Sequence, residues 1–166
     1  RQMCIRDRVV LEGETVATSL RLAAEFAERT GAVIIHPFDH RDVVIGQGTL
    51  GLELLEDAPD VDTIVLGIGG GGLIAGVAAA VKAKAAELGR SVRIIGVQAE
   101  NAAAMIPSLE AGYPVDIETK PTIADGILVA RPGAIPFEII KDLVDEVVTV
   151  TCLLYTSDAA DDMQCV

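Results

Sequence analysis

Apolar residues along this chain alternate between the spacing of strands and the spacing of helices. Short runs rich in β-branched residues predict strands at residues 9–11, 32–35, 63–68, 92–97 and 146–150. Amphipathic patterns predict helices at residues 14–30, 43–56, 73–88 and 102–111, and weaker patterns mark two further elements at 123–128 and 136–144. Strands that alternate with helices predict an α/β fold with a mainly parallel, twisted sheet flanked by helices.

Four consecutive glycines, Gly69, Gly70, Gly71 and Gly72, separate the strand at 63–68 from the helix that follows it. Because glycine has no Cβ, the backbone can turn tightly there and bring its N–H groups close to a ligand. The helix that begins near Leu73 adds unpaired N–H groups and the positive end of its dipole. Ligands of parallel sheets bind at the carboxyl ends of strands, where this run lies. The pattern predicts a phosphate or similar anion site rather than a linker, which would be polar.

The two ends of the chain are related to each other through the genetic code. The DNA string CGTCAGATGTGTATAAGAGACAG encodes residues 1–7 and begins the codon of residue 8. Its reverse complement, read from the second base, encodes residues 152–158. This pattern resembles a sequencing adaptor translated inward from both ends of one DNA fragment. We therefore predict that residues 1–8 and 152–166 are not native, and that residues 9–151 are a piece of a longer domain.

Composition excludes several classes of protein once those ends are set aside. All three cysteines lie in them, at Cys4, Cys152 and Cys165, so disulfides and thiolate chemistry lose support. The chain has 25 acidic and 13 basic residues, and four and three of these lie in the ends, which leaves a net charge of −11. Nucleic-acid binding would need a basic patch, and a membrane span would need about 18 consecutive apolar residues. The sequence predicts a cytoplasmic protein without nucleic-acid or membrane partners.

The glycine run also fits a second kind of site. Residues 67–72 satisfy the pattern G-x-G-x-x-G at the start of a helix, as in dinucleotide-binding Rossmann domains. Such a domain places an acidic residue at the end of the next strand to bind the ribose hydroxyls. That position is Gln98 here, and Glu100 lies two residues beyond it. A Rossmann module that binds NAD is therefore a partial match and remains an alternative.

A resemblance that covers residues 9–151 favours another ligand. The segments HPFDHRDVVIGQGTLGLELL, TIVLGIGGGGLIAG, VRIIGVQAENAAAM, TIADGI and FEIIKDLVDEVVTV occur in that order. Together they resemble the threonine dehydratase (threonine ammonia-lyase) and serine racemase family of fold-type II pyridoxal phosphate enzymes. The resemblance implies an incomplete fold of the tryptophan synthase β type, with the end of a small subdomain at about 9–31. It implies a homo-oligomeric parent that converts L-threonine or L-serine to a 2-oxo acid and ammonia.

The resemblance also implies roles for individual residues. The N–H groups of Gly69, Gly70, Gly71, Gly72 and Leu73 would bind the phosphate of pyridoxal 5′-phosphate. Gly126 would lie beside the pyridoxal ring, although its neighbour Asp125 equally fits a helix cap. Phe38 would border the substrate pocket, and a position in the core of a strand-ending turn is an equal alternative. The segment 46–49 is expected in a helix that packs on the sheet.

Two departures from the family concern metal binding and catalysis. Serine racemases carry a divalent-metal site at positions where this chain has Gln98 and Ala104, so we expect no metal and favour a dehydratase over a racemase. The family's Schiff-base lysine lies upstream of the part present, and the lysines here match no such motif: Lys82, Lys84, Lys120 and Lys141. We therefore expect no catalytic residue in this chain and an inactive fragment.

Overall fold

The structure is a computed structural model that describes residues 10–13 and 15–151. The chain divides into two compact units, Arg1–Ile35 and His36–Val166. In the first unit, helix α1 (Val16–Thr30) begins after Thr15, whose Oγ1 accepts a hydrogen bond from the N–H of Thr18 at 3.2 Å. The helix ends at Gly31, whose φ of 71° is the left-handed conformation that ends many helices. The predicted helix at 14–30 is confirmed to within its first two residues.

The prediction of two strands in the first unit is wrong. Residues 10–11 and 32–35 lie outside regular secondary structure, while residue 9 lies outside the described residues. Far from being buried, Val33 and Ile35 are 89% and 77% exposed. A strand is held by hydrogen bonds to a neighbouring strand. No strand among the described residues pairs with these segments, so their β-branched residues remain without a sheet.

The described part of the second unit, residues 36–151, contains a parallel sheet of three strands. Strands β1 (Thr63–Gly67), β2 (Arg93–Ala99) and β3 (Glu146–Val150) lie side by side in that order, and both pairs are parallel. The register places Val65 of β1 opposite Ile95 of β2, and Val97 of β2 opposite Val148 of β3. The prediction of an α/β fold with a parallel sheet is confirmed, and the three strands agree with their predicted bounds to within two residues.

The described residues of this unit form four helices: α2 (Arg41–Asp57), α3 (Gly72–Glu87), α4 (Met105–Ala111) and α5 (Ala134–Leu143). The helix predicted at 102–111 begins later, because a 3-10 turn at Glu100–Ala102 comes first. The weak pattern at 123–128 corresponds to a 3-10 turn, Asp125–Ile127, and the one at 136–144 corresponds to α5. Within the described ranges, no helix is both long and apolar enough to cross a membrane.

Helix α3 lies at the centre of the core and is apolar on most sides. Its buried residues contact strands β1 and β2 as well as Phe137 and Ile140 of α5, and include Ile74, Ala75, Val77, Ala78 and Val81. We expected the helix that contains residues 46–49 to pack on the sheet, but this helix, α2, packs mainly against α3. Glycines permit that close approach, since a Cβ on Gly76 would overlap the carbonyl oxygen of Val44.

Asp145 connects three elements at the edge of the sheet where β2 and β3 begin. Its Oδ2 accepts hydrogen bonds from Lys82 Nζ on α3 and from the N–H of Ile94, each at 2.6 Å. Lys82 Nζ also donates to the carbonyl of Val92 at 2.9 Å. The hydrogen bond from Lys82 and the one from the Ile94 N–H lower the pKa of Asp145 below its ordinary value.

Candidate phosphate site

The four glycines connect the end of β1 to the start of α3. Beyond Gly67, the N–H of Ile68 still donates to the carbonyl of Val97 at 2.8 Å, so the chain leaves the sheet only at Gly69. Gly71 is the N-cap of α3 and has a φ of 95°, and its carbonyl accepts the first helical hydrogen bond from Ala75 at 3.0 Å. A residue with a side chain rarely adopts that φ. The predicted turn from strand to helix is confirmed.

Unpaired backbone N–H groups are concentrated in this loop. Gly70, Gly71 and Gly72 are buried, and Gly69 and Leu73 are half-buried. Among the described residues, no carbonyl or side-chain oxygen accepts a hydrogen bond from the N–H groups of Gly69, Gly70, Gly71, Gly72 or Leu73. Such groups are costly to leave without an acceptor. At the positive end of the α3 dipole, they fit an anionic ligand that supplies several acceptor oxygens.

Phe38 packs directly against the glycine loop. A Cβ on Gly70 would overlap the Phe38 ring, and a Cβ on Gly72 would lie 3.0 Å from the Cβ of Phe38. Only glycine therefore fits at these two positions while Phe38 keeps its place. Phe38 is half-buried, so the structure brings it to the loop, and its role at the border of a substrate pocket stays a prediction.

The other side of the loop faces α5 and the 3-10 turn at Asp125–Ile127. A Cβ on Gly71 would lie 2.8 Å from Ile140 Cδ1, and a Cβ on Gly69 would lie 3.2 Å from the Cα of Ile127. The turn that contains Gly126 is thus in contact with the loop. Apart from its two chain neighbours, no atom of the described residues lies within 4 Å of a Cβ placed on Gly126, so the backbone is open there. The position of Gly126 beside a cofactor ring stays a prediction.

Sequence reasoning missed three residues that hold this arrangement together. His36 Nδ1 accepts a hydrogen bond from the N–H of Asp39 at 2.8 Å, and Asp39 Oδ1 accepts one from the N–H of Ile135 at 2.9 Å. Gly133 donates its N–H to the carbonyl of Gly70 at 3.0 Å. The motif HPFD contains the local signal, because histidine and aspartate accept hydrogen bonds from nearby N–H groups. Nothing local indicates a partner 96 residues away.

Gln98 is fully buried and satisfied within the protein. Its Nε2 donates to the carbonyls of Ile68 and Ala102 at 3.3 Å, and its Oε1 accepts from the N–H of Met105 at 2.8 Å. These bonds tie the end of β1 to the start of α4, and they leave the side chain closed to a ribose. In the described part of the chain, no three His, Cys, Asp or Glu residues form a cluster that could hold a metal.

Three of the four lysines are paired with acidic side chains, and the fourth, Lys120, is exposed. Lys82 is paired with Asp145 at the opposite edge of the sheet from the glycine loop. The pKa of Lys84 is raised by a hydrogen bond from its Nζ to Glu87, and that of Lys141 by one to Glu138. A lysine that acts as a nucleophile needs a lowered pKa. Lys84 and Lys141 therefore lack the lowered pKa that a nucleophile needs, while Lys82 Nζ is held by Asp145 and by the carbonyl of Val92.

Comparison with known proteins bears on the function without depending on the geometry of the loop. A sequence model described as a pyridoxal-phosphate-dependent enzyme matches residues 6–152. The L-threonine ammonia-lyase of Thermotoga maritima is 48% identical to this chain over 143 residues, and the catabolic L-threonine dehydratase of Escherichia coli K12 is 43% identical over 143 residues. Each alignment covers 86% of this chain.

The solved structures that are similar to this chain include a threonine deaminase and a serine racemase. Threonine deaminase isoform 2 from Solanum lycopersicum superposes with a TM-score of 0.78 at 39% identity and covers 86% of this chain. Maize serine racemase superposes with a TM-score of 0.82 at 34% identity and covers 92% of it. The chain spans 35% and 42% of the two curated relatives, and 40% and 45% of these two solved chains.

Proposed function

Because this chain belongs to the family of pyridoxal-phosphate-dependent enzymes, we propose that its glycine loop binds the phosphate of that cofactor. One observation carries the proposal: the N–H groups of five consecutive residues, 69–73, have no acceptor among the described residues. They lie at the start of α3, where the helix dipole favours negative charge. Hydrogen bonds to a charged group contribute about 1.5–3 kcal/mol each, so a few of them suffice to anchor a phosphate.

We propose that the longer protein to which residues 9–151 belong is a threonine or serine dehydratase. The substrate would lose its α-proton and its β-hydroxyl, and the product would hydrolyse to a 2-oxo acid and ammonia. When bound, pyridoxal phosphate supplies an electron sink for the pair left by the α-proton. The residues present here fix the phosphate through the loop and shape its surroundings with Phe38 and the turn that contains Gly126. Similarity at 48% and 43% identity to an L-threonine ammonia-lyase and a catabolic L-threonine dehydratase supports the proposal.

The proton-transfer step is assigned to residues outside this chain. The pKa values of Lys84 and Lys141 are raised by their acidic neighbours, and Lys82 is engaged with Asp145. Lys120 is exposed and matches no family motif for this role, so we propose that the 166-residue chain is inactive by itself, with a phosphate site but no catalytic base. We further propose that residues 1–8 and 152–166 are not native, and that the parent is a cytoplasmic homo-oligomer.

Calorimetric titration of the 166-residue chain tests the phosphate site. The probe is 4-deoxypyridoxine 5′-phosphate, which keeps the ring and the phosphate but lacks the aldehyde that reacts with lysines. We expect saturable binding of this probe, and no detectable binding of 4-deoxypyridoxine or of NAD at the same concentrations. Equal binding with and without the phosphate would contradict the proposal, and tighter binding of NAD would favour the dinucleotide alternative.

A further inference from the structure

We infer that the turn at residues 36–39 and the first turn of α5 form a clamp that sets the direction of the Gly71 N–H in the glycine loop. The loop clamp consists of His36, Phe38, Asp39 and Gly133, and the inference rests on the proposed phosphate site. Within the clamp, His36 and Asp39 are positioning residues: they contact neither the cofactor nor the substrate in this scheme. They act through the backbone atoms and the aromatic ring that touch the glycines.

His36 fixes the shape of the turn. Its Nδ1 accepts from the N–H of Asp39 at 2.8 Å and lies 3.4 Å from the N–H of Phe38. An Nδ1 that accepts must be unprotonated, so the neutral ring carries its proton on Nε2. The His36 and Phe38 rings also meet edge to face, with their centroids 4.6 Å apart. Both contacts hold the Phe38 ring in the position where it covers Gly70 and Gly72.

Asp39 extends the clamp to α5. Its Oδ1 accepts from the N–H of Ile135, one of the first-turn donors of α5 that have no partner within the helix. A Cβ on Gly133 would lie only 2.9 Å from the Cβ of Asp39, so the two backbones are packed closely. Asp39 thereby caps α5 from a distant part of the sequence and holds Gly133 in place.

Gly133 connects α5 to the glycine loop. Its N–H donates to the carbonyl of Gly70 at 3.0 Å, which turns that carbonyl toward α5. All described peptide bonds are trans, and in a planar trans peptide the C=O and the next N–H point in opposite directions. The N–H of Gly71 is therefore aimed away from α5. A clamp that fixes the Gly70 carbonyl also fixes this N–H as a donor to the ligand.

Paired substitutions at Asp39 test the inference in the 166-residue chain. Asp39→Ala removes the acceptor, and we expect the Kd for 4-deoxypyridoxine 5′-phosphate to rise about tenfold, the scale of one lost hydrogen bond. Asp39→Asn keeps an oxygen that can accept from Ile135, so its Kd should stay within about twofold of the original. Asp142→Ala, an exposed charge change at the other end of α5, is the matched control and should leave the Kd unchanged.

A second pair of variants applies if Asp39→Ala does not fold. His36→Asn keeps an acceptor near the position of Nδ1 and should retain binding, while His36→Phe keeps the ring and should weaken it. The amide resonance of Gly71 in the free protein is the direct readout, and it should move in His36→Phe and stay in place in His36→Asn. Binding that is equal in all folded variants would overturn the clamp alone. Absence of binding by the unmodified chain would overturn the phosphate site and the clamp with it.

Discussion

Each glycine of the loop is restricted either by a close neighbour or by its backbone conformation. Gly70 and Gly72 leave room for Phe38, Gly69 leaves room for Ile127, and Gly71 has the left-handed φ that begins α3. The sequence could predict the loop because its glycines are adjacent and lie between a strand and a helix. It could not predict the neighbours, since Phe38 and α5 are far away along the chain.

Gly71→Ala should both destabilise the protein and abolish phosphate binding. The φ of 95° costs an alanine about 1–2 kcal/mol, and overlap with Ile140 and Pro136 adds to that cost. Gly112→Ala is the matched control, because Gly112 also has a left-handed φ, 82°, but no neighbour within 4 Å of a Cβ. Urea denaturation should show a larger loss for Gly71→Ala, and calorimetry should show normal binding for Gly112→Ala. Equal losses in both variants would contradict the packing around Gly71.

Asp145 should make the free energy of unfolding depend on pH. Its pKa in the folded protein is lowered by Lys82 and by the Ile94 N–H, so the folded state favours the charged carboxylate. The resulting stabilisation is complete above the ordinary aspartate pKa of about 4 and is lost as the pH falls through the lowered pKa.

Asp145→Asn removes this dependence and should lower the free energy of unfolding at pH 7 by about 1 kcal/mol or less, since the side chain is 39% exposed and screened by solvent. Urea denaturation between pH 7 and pH 3 measures both effects. Glu138→Gln, which breaks an exposed pair with Lys141, serves as the control and should leave the stability unchanged. A steeper loss with acid in Asp145→Asn than in the original chain would refute this role.

At the scale of elements, local pattern was sufficient to predict the three strands and three of the helices. The strands β1, β2 and β3 and the helices α1, α2 and α3 agree with their predicted bounds to within two residues. The strand predicted at residues 32–35 is wrong because a strand depends on a pairing partner, which local pattern does not reveal. Helix α4 starts later than predicted, after the 3-10 turn at Glu100–Ala102. Gln98 Oε1 accepts a hydrogen bond from the N–H of Met105 at its start, a contact that periodicity does not reveal.

The interface between α2 and α3 depends on glycine at Gly76. A Cβ there would overlap the Val44 carbonyl, so Gly76→Ala should force the helices apart and reduce the free energy of unfolding by about 1–3 kcal/mol. Gly46→Ala, on α2 with no atom within 4 Å of the added Cβ, should instead stabilise the protein by about 0.5–1 kcal/mol. Opposite signs in urea denaturation would support the interface. A destabilisation of similar size in both variants would contradict it.

At the scale of the whole molecule, the chain spans 35% and 42% of the length of the two curated relatives. The proposed phosphate site lies within this part, and the proposed catalytic base lies outside it. The family could be predicted from the sequence because several motifs occur in a fixed order. The loop clamp could not be predicted from the sequence, because Asp39 and Gly133 make their contacts through the packing of α5 beside the loop.

Transfer of residues 9–151 into a complete relative tests the proposed activity. The recipient is the catabolic dehydratase of Escherichia coli, with its matching segment replaced. We expect this chimera to form 2-oxobutanoate from L-threonine, and its Gly71→Ala form to lose both the activity and the bound cofactor. The 166-residue chain alone should form none. Release of 2-oxobutanoate by the chain alone, with pyridoxal phosphate added, would refute the assignment of the base to residues outside it.

The most direct test of the central claim is a nuclear magnetic resonance titration of the ¹⁵N-labelled chain with 4-deoxypyridoxine 5′-phosphate. Hydrogen bonds to a phosphate shift amide proton resonances strongly. We expect the largest shifts to fall on Gly69, Gly70, Gly71, Gly72 and Leu73, and we expect 4-deoxypyridoxine, which has no phosphate, to leave these five resonances in place. If the largest shifts fall elsewhere in the chain, or if the same shifts occur without the phosphate, the claim that this loop binds the phosphate is contradicted.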